Sequence, residues 1–263
     1  MARTGRGQRI IAFANQKGGT AKTTTVSSLA YRMAETGKKV LAVDLDPQGN
    51  LGQSFGLRPQ EIDNTIAKVL TEEMALVDVV HEVGKNLYCV PANTDLVDTE
   101  VQLTSMKARE ARLKRSLSSA TGFDYILLDC PPNLGLMTVN ALVAAQEVMV
   151  PLEPEFFSTS GFVLLKRTIS DVQELLNNSL AITGVMITKF ATGKRLHHDI
   201  KEMVEKEFEG LVFKTVIPVN IKLSEAQPAG ESIFEFAPKS KGAQAYAELC
   251  KEIIKQEKGR AAA

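Results

Sequence analysis

Residues 15–25, Asn15-Gln16-Lys17-Gly18-Gly19-Thr20-Ala21-Lys22-Thr23-Thr24-Thr25, combine glycines, lysines and hydroxyls at a spacing that suits a polyphosphate. Backbone N–H groups of a glycine loop and of a following helix N-terminus point at an anion. Lys22 can neutralise outer phosphates, and the Thr23 hydroxyl can ligate Mg²⁺. The usual string is G-x-x-x-x-G-K-[ST]. Here Gln16 and Ala21 hold the two glycine positions, and an extra lysine, Lys17, stands five residues before Lys22.

Two acidic segments add to this loop. Asp44-Leu45-Asp46-Pro47-Gln48-Gly49-Asn50 follows an apolar run, and alternate strand residues share a face, so Asp44 and Asp46 are expected on one side. Two carboxylates beside a polyphosphate suit metal-bound water and orientation of an attacking water. The same residues are also turn formers. Tyr125–Leu128 is an apolar strand closed by Asp129, whose carboxylate can hold a water on Mg²⁺. Cys130, Pro131 and Pro132 follow; Cys130 reads as a small residue in a tight site, and the prolines stiffen the loop.

The elements that must position these groups are legible as periodicities. Apolar, β-branched runs occur at 10–14, 39–43, 87–91, 124–129, 147–152, 182–188 and 212–217. Lys22–Glu35 predicts a helix with Val26, Leu29, Ala30 and Met33 on one face and Gly37 as its stop. A second long helix is expected over 162–176. Strands alternating with helices predict an α/β fold: a mostly parallel twisted sheet with helices on both faces. Ligands in such sheets sit beyond the carboxyl ends of the strands, where every motif above falls.

The 263 residues suffice for one large domain, expected over 9–258, with a flexible basic segment at 1–8 and a frayed end at 259–263. Lysine plus arginine equals aspartate plus glutamate at 31 each, so any nucleic-acid binding must come from a local patch. Cys89, Cys130 and Cys250 are far apart, which argues for free thiols in a reducing, cytoplasmic setting. No apolar run reaches the ~18 residues of a membrane span.

The string K-G-G-x-x-K-T with its front lysine resembles the deviant phosphate-binding loop (Walker A) of the ParA/MinD/nitrogenase-iron-protein group, and the chain is similar to the ParA/Soj partition ATPases. The resemblance covers residues 9–256, with motifs in family order at 17–24, 44–50, 129–132 and 218–220. It implies a P-loop ATPase that uses ATP and Mg²⁺. ATP would be bound by Lys17, Gly18, Gly19, Thr20, Ala21, Lys22, Thr23 and Thr24, with Pro218 and Asn220 against the adenine. Thr23, Asp44 and Asp129 would serve the metal, and Asp46 would serve hydrolysis alongside Lys22. Lys17 would act across a homodimer on the partner's nucleotide. The segment Glu153–Gly161 resembles the family loop that meets the partner subunit; it also reads as a loop capping the helix after it.

The family binds DNA without sequence preference when ATP-bound and dimeric, and a ParB-like activator stimulates its release. The matching basic patch is Lys194, Arg195, Lys222, Lys239 and Lys241, implying a nucleoid-associated protein. Val219 stands where the family has arginine. Two alternatives use related chemistry. A MinD-like membrane cycle needs a terminal amphipathic helix, whereas the stripe Ala243, Tyr246, Ala247, Cys250, Ile253 and Ile254 reads as core packing. A slow nucleotide-switched scaffold for protein cargo is the other, motivated by Ala21.

Overall fold

Strand β1 (Arg9–Phe13) sends Ile11 and Phe13 into one hydrophobic cluster and Ala12 into another, on the opposite face of the sheet. The same period-2 division holds in β2 and β5, which are buried throughout. A strand buried on both faces reads as a continuous apolar run, which is why these strands are visible in the sequence. The structure, a computed structural model, describes residues 8–155 and 158–260, with backbone alone at 158–161 and 257–260.

After β1 the chain runs through α1 (Lys22–Glu35), β2 (Val40–Asp44), α2 (Asn50–Ser54), α3 (Ile66–Leu70), β3 (His81–Gly84), β4 (Leu87–Val90), α4 (Asp95–Leu103), α5 (Arg112–Leu117) and β5 (Tyr125–Asp129). It continues through α6 (Leu136–Ala144), β6 (Glu147–Leu152), α7 (Ser158–Leu175), β7 (Ala181–Ile187), α8 (Arg195–Glu207), α9 (Ile221–Ala229), α10 (Ile233–Phe236) and α11 (Lys241–Arg260). Among the described residues the sheet order is β3-β4-β2-β5-β1-β6-β7, parallel except for β3. The expected α/β class is therefore the observed one.

Helix α1 has the expected limits. Val26, Leu29, Ala30 and Met33 are fully buried, the three larger side chains contributing about 1.5–3 kcal/mol each. Gly37 takes φ 84 and donates to Ala34 O at 2.9 Å, the left-handed stop that a glycine allows. Helix α11 packs on α1 and buries Ala243, Tyr246, Cys250 and Ile253. Its stripe is core, as the sequence suggested, and the helix continues to Arg260. Residues 1–7 and 261–263 of the expected terminal segments lie outside the described residues.

Three expectations need correction. Residues 212–217 form no strand: Val212 and Pro218 make isolated bridges to Val185 and Phe190. The reason is Glu252 on α11. Its carboxylate accepts from the Lys214 and Thr215 amides at 3.0 and 2.9 Å, which draws the segment out of the ladder. Strand β3 was not expected; it is a short antiparallel hairpin arm turning at Asn86, which has φ 62. Helix α7 begins at Ser158, four residues before the expected start, so the loop expected over 153–161 is already helical by then; Phe156 and Phe157 lie outside the described residues.

One buried ion pair ties the sheet to the last helix. Arg9 Nε and Nη2 donate to Glu147 at 2.6 and 2.8 Å, joining β1 to β6, and Nη1 donates to Ile253 O at 3.2 Å. Both side chains are about nine-tenths buried. Removing one partner leaves an uncompensated buried charge, so Glu147→Ala is expected to cost about 3–5 kcal/mol of unfolding free energy. Chemical denaturation checks this; a loss below about 1 kcal/mol would show that the pair is dispensable.

Candidate functional site

The sheet register sets the site. Asp44 and Asp129 are Cα partners at the carboxyl ends of β2 and β5, and Asp129 is level with Phe13 at the end of β1. The loop of residues 15–21 begins where these three strands stop. It is anchored underneath: Asn15 Nδ2 donates to Pro151 O at 2.7 Å, and Thr188 Oγ1 donates to Thr20 O at 3.0 Å.

Within the loop the two lysines diverge. Lys22 is buried, and its ammonium turns back to the carbonyls of Asn15 and Lys17 at 3.1 and 3.3 Å. Burial lowers its pKa, opposed chiefly by the Asp129 charge. Lys17 points outward and pairs with Glu155, with its side chain about a third exposed. No side chain caps the start of α1, and no acid lies in its first turn. Among the described residues no side chain accepts from its first N–H groups, an arrangement suited to an anion. The loop and α1 join at Ala21, which adopts φ 64, ψ 32. The conformational demand suspected from the missing glycine is real: alanine sits in the left-handed region there, with its methyl against the chain.

The acids also diverge. Asp44 is fully buried, and its two oxygens accept from the amides of Asp46 and Leu51 at 3.0 and 3.1 Å. It thereby shapes the turn at 45–50 and caps α2. Burial first, then the neighbouring Asp129 charge, raises its pKa well above the carboxylate range. Strand β2 stops at Asp44, so Asp46 does not continue it as expected; Asp46 lies in the turn and accepts from Gln48 N at 3.0 Å. Gly49 in that turn has φ 68, and a methyl there would lie 2.7 Å from Ala92 O. Both the site and the turn readings of this segment therefore describe the same residues.

Asp129 is fully buried, and neither of its oxygens accepts a hydrogen bond in the structure. The Thr23 hydroxyl lies against it without meeting hydrogen-bond geometry. Burial pushes its pKa up to about 7, against the opposing pull of Thr23 and Lys22. Orphaned carboxylate oxygens beside a threonine hydroxyl are hard donors that fit Mg²⁺. No group of three His, Cys, Asp or Glu side chains converges as a metal cage among the described residues. A cation here would draw its other ligands from phosphate and water, as Mg²⁺ does.

Beside the loop opens a cavity of about 500 Å³, in the range of small-ligand sites. It brings together Ala21, Thr24, Pro218 and Asn220, all expected at the nucleotide, with Glu153, Glu155, Lys189 and Tyr246. A larger cavity of about 980 Å³ lies at the amino ends of the strands, lined by Gln8, Ile10 and Gln146. It touches none of the expected site residues, and the chemistry decides for the smaller one. Of the expected basic patch, Lys194 lines the nucleotide-side cavity and Arg195 starts α8 beside it. Lys222 lies over the Phe236 ring and pairs with Glu225 at 2.8 Å. Lys239 and Lys241 are exposed where α11 begins, and a methyl on Gly242 would lie 2.8 Å from Leu223 of α9. The patch is thus split between the α8 start and the α9–α11 junction.

Sequence reasoning assigned no role to Asn15, Thr188 or Lys189. The rule that ligands gather past the carboxyl ends of strands points to Thr188 and Lys189, directly after β7.

A family model described as an AAA domain matches residues 8–182. The sporulation initiation inhibitor protein Soj of Bacillus subtilis is 40% identical over 247 residues, spanning 93% of this chain and 98% of its own. The chromosome partitioning protein ParA of Myxococcus xanthus is 39% identical, spanning 95% and 89%. A cobyrinic acid a,c-diamide synthase from Mycobacterium smegmatis, solved with a bound ATP analogue and magnesium, superposes with a TM-score of 0.85 at 36% identity, covering 96% of each chain.

The strained junction yields a direct prediction. Ala21→Gly removes the left-handed penalty while adding some unfolded-chain freedom, so the nucleotide-free protein is expected to gain about 1 kcal/mol. Thermal and urea unfolding measure it; destabilisation by the glycine would contradict the strain.

Proposed function

We propose, for a chain that belongs to the Soj/ParA family of chromosome-partitioning ATPases, a slow Mg²⁺-dependent ATP switch that dimerises on ATP and loads onto DNA. The observation that carries this reading is the divergence of the two loop lysines. Lys22 is turned inward onto the loop carbonyls, while Lys17 reaches out of the loop to Glu155 at the edge of the neighbouring cavity. An outward lysine at the front of the loop is placed for use on a second subunit's nucleotide, in a closed two-fold dimer.

In this reading residues 18–24 bind the phosphates, and Pro218 and Asn220 border the adenine. Thr23 and Asp129 hold Mg²⁺, which when bound neutralises developing phosphate charge. Asp44 sets the turn that carries Asp46, and Asp46 orients the attacking water. ATP then joins two subunits, and hydrolysis, stimulated by a ParB-like activator, separates them. Dimerisation would double the exposed lysines at 222, 239 and 241. Each added phosphate contact steepens salt dependence and strengthens binding, so the dimer would hold DNA that the monomer releases. Val219, 64% exposed, and Ile221, 70% exposed, make the neighbouring edge apolar.

One observation weighs against the membrane reading. The α11 stripe that could serve as an apolar membrane face is in the core, with Tyr246 and Ile253 fully buried.

Two variants test the proposal. Lys17→Ala should bind ATP but stay monomeric by light scattering. Asp46→Ala should dimerise with ATP yet turn over about a hundredfold more slowly. Full ATP-driven dimerisation and hydrolysis by Lys17→Ala would rule out a role for that lysine across the dimer.

A further inference from the structure

The Lys189 ammonium stands over the phosphate loop: a methyl group built on Gly19 would lie 3.7 Å from its Nζ. Lys189 holds φ 49, a left-handed conformation that a non-glycine residue adopts at a cost and keeps only where its surroundings impose it. They do so from both sides. Thr188 donates through its N–H to Leu152 O at 2.8 Å and through Oγ1 to Thr20 O at 3.0 Å. Phe190 donates to Ile217 O at 2.9 Å and accepts from Val219 N at 3.1 Å. The backbone is thus locked on either side of a lysine whose own side chain is not committed to packing, being 44% exposed.

Its ion-pair partner is Glu153, 3.8 Å away, a distance that makes an ion pair but not a hydrogen bond. Glu153 and Glu155 line the same cavity as Ala21 and Thr24. Two carboxylates facing a phosphate loop would repel an incoming polyphosphate. Lys189 neutralises one of them and Lys17 the other. A half-exposed ion pair of this kind is weak and easily exchanged.

We infer that Lys189 is a further nucleotide-binding residue, whose ammonium leaves Glu153 to contact the phosphate chain held on residues 18–24. The inference rests on the loop being an ATP site and adds a third lysine to it, outside every motif of the sequence. Phosphate contact gives the strained backbone its reason, because the left-handed turn after β7 brings the side chain back over Gly19.

The test is titration of ADP and ATP by calorimetry, with melting curves of the nucleotide-free proteins. Wild type is compared with Lys22→Ala, Lys189→Met, Lys189→Arg and Lys189→Gly. Loss of a charge-assisted contact should weaken ADP and ATP about tenfold in Lys189→Met. Lys189→Arg keeps the charge and should stay within about threefold of wild type. Lys189→Gly should lose the same affinity as methionine while raising the melting temperature, because it relieves the positive φ. A lysine that merely offsets Glu153 would act only through that carboxylate, so wild-type affinity in Lys189→Met combined with Glu153→Gln would overturn direct contact, whereas a loss that persists in the double variant supports it. Wild-type affinity in Lys189→Met, with binding lost in Lys22→Ala, would overturn this inference alone. No binding of ADP or ATP by the wild type would overturn both it and the reading of the loop.

Discussion

Two carboxylates buried abreast at the ends of adjacent parallel strands are the constraint on which the site depends. The β2–β5 register places Asp44 beside Asp129, and burial makes charge costly at both. The fold resolves this differently at each. Asp44 accepts from two backbone amides and so becomes part of the frame. Asp129 accepts from none, and stands among Thr23, Lys22 and the phosphate loop. In the proposed function a divalent cation would supply what the protein withholds from Asp129, so that metal and nucleotide would complete the electrostatics rather than add to a finished structure.

The lysines show the complementary pattern. Lys22 rests on loop carbonyls, Lys17 on Glu155 and Lys189 near Glu153. Each cation has a protein acceptor, yet the two carboxylate partners are ion pairs at a cavity edge, where solvent weakens them. In the proposed switch, nucleotide binding would exchange weak internal pairs for phosphate, with small net reorganisation. That is suitable for a switch that must both load and release. The anchors below the loop, Asn15 to Pro151 and Thr188 to Thr20, keep the exchange local.

Much of this was legible in the chain. Helix α1 announced itself by its apolar face and Gly37, and β5 by an apolar run closed by Asp129, because periodicity and burial speak directly through residue type. The segment 212–217 did not, although it has strand composition. Its fate is decided by Glu252, almost forty residues away, and local propensity cannot see a carboxylate on another helix. Asp44 and Asp46 were read as one face of a strand, but β2 ends at Asp44 because the turn it caps begins there. Lys189 carries no motif at all. Its meaning comes from three-dimensional placement over Gly19. Ala21 lies between these cases: the missing glycine flagged the position, and the backbone angle shows what the replacement endures.

The most direct test of a nucleotide-gated surface is binding of random-sequence duplex DNA, by fluorescence anisotropy, with ATP, with ADP and with no nucleotide, across a salt series. Binding that appears only with ATP and falls steeply as salt rises is the expected result. Equal binding in all three states, or an ATP-bound protein that ignores DNA at low salt, would contradict it.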